Sequence, residues 1–140
     1  MIRTLLTLVA GIGVGAAGMA AARHEGVKVT TLAARDIVEK LDGKEAKATF
    51  LEVTLEPGQE DLPHRHAGPS HGYVLEGEFE WAIDDQPAKV LKAGETFYEP
   101  TGSLHRVAKN PSTKGKTRVV AVILHPRDAK QVTIPEPKKK

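Results

Sequence analysis

From Val27 onward the chain alternates apolar and polar positions in short stretches, and no stretch sustains a helical period. In "ATFLEVTLEPG", Phe50, Glu52, Thr54 and Glu56 fall on one face and Leu51, Val53 and Leu55 on the other, which predicts a half-buried strand. "EFEWAIDDQPAKVLKAG" sets Phe79, Trp81 and Ile83 against Glu78 and Glu80; "DDQP" supplies a turn, and Ala88 to Leu91 completes a hairpin. Glu95 to Glu99 is strand-like, as is "TRVVAVIL", which is apolar enough for a sheet buried on both faces. "VKVTTL" predicts a first strand and "ARDIVEKLDG" a single helical turn before Gly43. Short strands separated by turn signals predict an all-β domain, an antiparallel sandwich or barrel.

A length of 140 residues suits one domain with a core of modest size. With 20 basic and 18 acidic residues the net charge of +2 decides little. The one basic run, Lys138 to Lys140, follows Pro135 and Pro137, so residues 136–140 read as a flexible basic tail. No basic stripe with stacking aromatics is visible, which argues against nucleic-acid binding. The amino terminus says more. Arg3 precedes an uncharged segment that ends at Arg23, with small residues at Ala20 and Ala22. This matches a signal peptide over residues 1–22, leaving a mature domain over 23–135 that is periplasmic or secreted, with no stable membrane insertion after cleavage. An uncleaved membrane anchor is the competing reading, although glycine and alanine make the segment weakly hydrophobic for a permanent span. The chain has no cysteine, which removes disulfides, thiolate nucleophiles and cysteine-type zinc sites.

Three of the six histidines fall in "HRHAGPSHGYVLEGEFEW". His64 and His66 are one residue apart, so on an extended chain both imidazoles point to the same side and can share one ion. His105 lies far along the chain, just beyond a Pro-x-Gly turn. Gly58, His64, His66 and Gly77 stand at the spacing of the first motif of the cupin family, with Ser70 where that motif has a glutamate. Gly94, Pro100, Gly102 and His105 fit the second motif, and Asn110 arrives one residue late. Between them the motifs cover Gly58 to Asn110, and the chain resembles a small single-domain cupin.

That resemblance implies a double-stranded β-helix, or jelly-roll barrel, with His64, His66 and His105 binding a divalent metal inside it. Three neutral imidazoles suit iron, copper, nickel or zinc better than magnesium or calcium. Ser70 is a poor substitute for the glutamate ligand. His71 is adjacent but faces the other way on a regular strand, whereas Glu99 shares parity with the inward Phe97. A carboxylate buried there should meet the metal, a histidine, Arg65 or Arg106. By analogy with three-histidine dioxygenases among cupins, Glu99 or Tyr98 would be the acid or base, and Arg65 or Arg106 would hold an anionic substrate. His24 and His125 read as structural or exposed, and Phe79, Trp81, Tyr73 and Tyr98 as packing. Three functions stay open: a metal-dependent enzyme such as a dioxygenase or isomerase acting on a small molecule, a non-catalytic small-ligand or metal-binding cupin, and a structural assembly. A homodimer is implied only by the resemblance.

Overall fold

The computed structural model describes residues 27–137, which form ten strands and, among these residues, no helix. The expected signal peptide and the Lys138–Lys140 run lie outside the described residues. Two long strands open the fold. β1 (Lys28–Leu41) and β2 (Lys44–Leu55) form a hairpin, and the single helical turn expected after "VKVTTL" is absent. Asp42 and Gly43 both adopt positive φ, 49° and 76°, the backbone of a tight two-residue turn whose twist matches the flanking strands. Register shifts between Thr31 and Ala33 and between Ile37 and Lys40 let β1 stay extended over this length.

The remaining strands are β3 (His64–His66), β4 (Ser70–Glu76), β5 (Glu78–Ile83), β6 (Lys89–Lys92), β7 (Thr96–Glu99), β8 (His105–Lys109), β9 (Thr117–Pro126) and β10 (Thr133–Pro135). They complete two five-stranded antiparallel sheets, ordered β1-β2-β9-β4-β7 and β10-β3-β8-β5-β6. This is the double-stranded β-helix that the two motifs imply. The expected hairpin is β5–β6, with Phe79 and Trp81 buried as their spacing predicts. β9 lies between β2 and β4, and its residues alternate buried and half-buried, so its apolar run fills the centre of one sheet.

The core packs between the sheets, with Leu55, Val74 and Val119 from one meeting Phe79, Trp81 and Ile83 from the other. Gly72 on β4 faces Phe97 across the β4–β7 ladder. A Cβ at Gly72 would come within 1.9 Å of the Phe97 ring, so the missing side chain is what lets that ring lie flat against the sheet. Asn110 is fully buried and ties the loop after β8 to the end of β2: its amide donates to the carbonyls of Leu55 (3.1 Å) and Gly115 (2.8 Å), and its Oδ1 accepts from the Ser112 N–H. The motif asparagine therefore keeps a closing role although it stands one residue late.

Candidate metal centre

β3 presents His64 and His66 on its inner face, and antiparallel pairing sets His64 directly opposite His105, the first residue of β8. The ring centroid of His64 lies 4.9 Å from that of His66 and 4.9 Å from that of His105. One nitrogen from each residue falls within 4.8 Å of the others, close enough for a shared ion. All three residues are largely sheltered from solvent.

The tautomer of His64 follows from its neighbour. Its Nδ1 stands 2.8 Å from the Leu62 carbonyl, which can only accept, so Nδ1 donates and the lone pair sits on Nε2. Asp61 lies against the same Nδ1 side at 3.8 Å. Burial holds the His64 imidazolium below its usual range, and burial likewise pushes His105 down to about 4, so both rings are neutral and ready to donate at neutral pH. Among the described residues, neither ring nitrogen of His105 has a side-chain partner in hydrogen-bond geometry, although Nδ1 lies close to Glu99.

Across the gap, the other sheet contributes Ser70 and Glu99, which face each other in register on β4 and β7. Glu99 is 2% exposed. Its Oε1 accepts from Trp81 Nε1 at 3.0 Å and lies 3.1 Å from His105 Nδ1; its Oε2 lies 3.1 Å from His66 Nε2. Burial alone would raise this carboxyl, but the imidazoles of His66 and His105 and the Trp81 N–H outweigh it and hold the group below the ordinary carboxylate range. The donor set fits a divalent transition metal: the imidazoles of His64, His66 and His105 converge near a buried carboxylate, and among the described residues Glu99 Oε2 and the His105 ring nitrogens have no partner in hydrogen-bond geometry.

These groups sit in a cavity of about 420 Å³ whose walls include Leu51, Val53, Phe79, Phe97 and Val119. Three of the expected site residues do not reach it. Tyr98 follows the opposite parity from Glu99, so its ring lies outside, half exposed and 4.8 Å from His71. Arg65 sits between two inward histidines and points outward, where its Nε donates to Glu136 Oε2 at 3.0 Å. Arg106 donates to the carbonyls of Asp84 and Gln86. None of the three lines the cavity. β4 is regular at its start, so His71 stays outside with Tyr98. His125 is buried and satisfied: its Nδ1 donates to the Pro126 carbonyl and its Nε2 accepts from Thr49, both at 2.8 Å.

Two residues that the sequence pattern did not single out do line the cavity, Asp61 and Lys130. Lys130 is the one Lys or Arg among the described lining residues, and it comes from the irregular segment between β9 and β10. No periodicity marks such a segment, so no signal in the sequence placed it.

The Cupin domain family matches residues 51–123, more than half of the chain and both halves of the site. The protein is a cupin. No curated protein sequence matches this cupin. In fold it is similar to a cupin superfamily protein from Desulfitobacterium hafniense, at 20% identity and a TM-score of 0.55, with 74% of this chain and 82% of that one covered. KdgF from Halomonas sp. is similar at 22% identity and the same TM-score and coverage. An oxalate oxidase in complex with the substrate analogue glycolate is 26% identical, with a TM-score of 0.54 over 73% of this cupin and 53% of that chain.

Proposed function

We propose that this cupin is an exported protein that binds one divalent transition metal (iron, copper, nickel or zinc) on His64, His66 and His105 and acts on a small organic anion beside it, in the manner of a mononuclear non-haem dioxygenase. The convergence of three buried imidazoles at one cavity carries this reading. A bound metal of this kind polarises an oxygen donor of the substrate and, where redox-active, exchanges electrons with it or with oxygen. The apolar walls from Leu51, Val53, Phe79 and Phe97 shelter the reacting groups from water. Lys130 takes the anion-holding role that the analogy gave to Arg65 or Arg106, and Glu99 supplies negative charge to the site. Likeness to an oxalate oxidase bound to glycolate supports a small carboxylate as the substrate class.

Elemental analysis of the untagged protein beside its His64→Ala variant tests the reading. About one equivalent of metal, absent from the variant, is expected, followed by oxygen consumption with one or more small carboxylic acids. Metal-free protein after anaerobic reconstitution would exclude the reading. A second reading, a non-catalytic metal or ligand carrier, is favoured by the proximity of Glu99 to the imidazoles, which leaves less of the metal open. A loaded protein with no turnover across the panel is its expected signature. Mass spectrometry of the exported fraction, showing a chain that begins near Arg23, tests export.

A further inference from the structure

Position 70 carries a serine where the first cupin motif carries its glutamate, yet a carboxylate is present at the site. Ser70 and Glu99 are direct partners across the β4–β7 ladder, so their side chains start about 5 Å apart on the same inner face. Ser70 is fully buried, its Oγ has no hydrogen-bond partner among the described residues, and its short side chain leaves much of the space that a glutamate would fill. Glu99 reaches into the site from the opposite rung. We propose that the metal-binding carboxylate has been transposed from β4 to β7, and that Glu99, through Oε2, is the fourth protein ligand to the metal held by His64, His66 and His105.

The geometry separates the two oxygens. Oε1 is fixed by the Trp81 N–H at 3.0 Å, which orients the carboxylate. Oε2 is buried, lies 3.1 Å from His66 Nε2, and among the described residues has no partner in hydrogen-bond geometry. Two atoms each bonded to one ion at ~2.1 Å and at right angles stand ~3.0 Å apart. The Oε2 to Nε2 separation thus matches two donors bound to a common ion. The other acidic and imidazole groups nearby are accounted for. Asp61 lies against the Nδ1 side of His64, whose Nδ1 already donates to Leu62, and His71 is outside the barrel against Tyr98.

The inference rests on the metal reading above, and cobalt titration separates the two. Co²⁺ is added to the metal-free protein, to Glu99→Gln and to the double variant Ser70→Glu/Glu99→Gln, with affinity read by calorimetry and the ligand set by the visible d–d spectrum. Glutamine keeps the shape of Glu99 and an oxygen for Trp81. Glu99→Gln is expected to weaken Co²⁺ binding about 100-fold or more and to change the spectrum. The double variant is expected to recover much of both, because it returns a carboxylate to β4. A spectrum unchanged in Glu99→Gln overturns the ligand assignment while leaving the three-histidine metal site standing. Failure of the unaltered protein to bind Co²⁺ overturns the metal reading itself. An infrared difference spectrum of the unaltered protein, with and without Co²⁺, needs no variant: carboxylate stretches are expected in it, and imidazole bands alone overturn the proposal.

Discussion

His105 shows how burial prepares a residue for a metal. Its imidazole is pushed down to about 4 from 6.5 by loss of solvent, so the folded metal-free protein resists a proton that the unfolded chain accepts. The unfolded state then binds more protons as pH drops below 6.5, and folding stability falls with it. His64 is shifted in the same direction, and Glu99, held below its usual range, also loses stabilisation as it protonates. The metal-free protein is therefore expected to be fully stable above pH 6.5 and to lose about 3 kcal/mol through His105 alone between pH 6.5 and 4. Urea titrations across that range check it; a flat profile would contradict it. The inward aim of His64, His66 and Glu99 was legible from strand parity. The outward aim of Arg65 follows from the same parity, which the analogy that gave it a substrate role did not weigh. Lys130 was not legible, because an irregular segment carries it and neither spacing nor alternation fixes where such a side chain ends.

At the scale of elements, the period-2 pattern was sufficient to find β2, the β5–β6 hairpin and β9; burial alternates throughout β9, and β2 and β5 bury Leu51, Leu55, Phe79, Trp81 and Ile83 as the apolar spacing predicts. β1 was only half legible. Mixed charges and small residues in "ARDIVEKLDG" resemble a helical turn, while the Asp-Gly pair at its end is a strong two-residue hairpin signal, and the strand partner that the hairpin supplies prevails. The close approach of Phe97 to Gly72 belongs to this scale too, since no single-strand pattern reveals which ring a glycine accommodates. Gly72→Ala is expected to drive the Phe97 ring toward the cavity and to destabilise the fold by about 1–3 kcal/mol. Thermal unfolding together with loss of ligand-accessible volume, seen as weaker binding of bulky but not small carboxylates, checks this.

For the molecule as a whole, the site is built between two sheets, with His64, His66 and His105 on one and Glu99 on the other. The strand carrying two of the histidines is short and sparsely tied. β3 shares one rung with β8, the His64–His105 pair, and three with β10. Glu136, which the sequence placed in a flexible tail, is instead fastened: its N–H donates to the Pro63 carbonyl at 2.9 Å and its carboxylate takes Arg65, the residue between the two histidines. The outward face of β3 is thus a buckle for the late part of the chain, and its inward face carries two histidines of the candidate metal centre. Whatever loosens the buckle should be felt as a faster escape of metal. Glu136→Ala, removing a solvent-screened ion pair, is expected to speed metal release to a chelator a few-fold while hardly moving the unfolding temperature. Cleavage before Val132 should speed it far more. Trimming the chain from its late end is thus expected to cost this cupin its hold on a metal before it costs the fold.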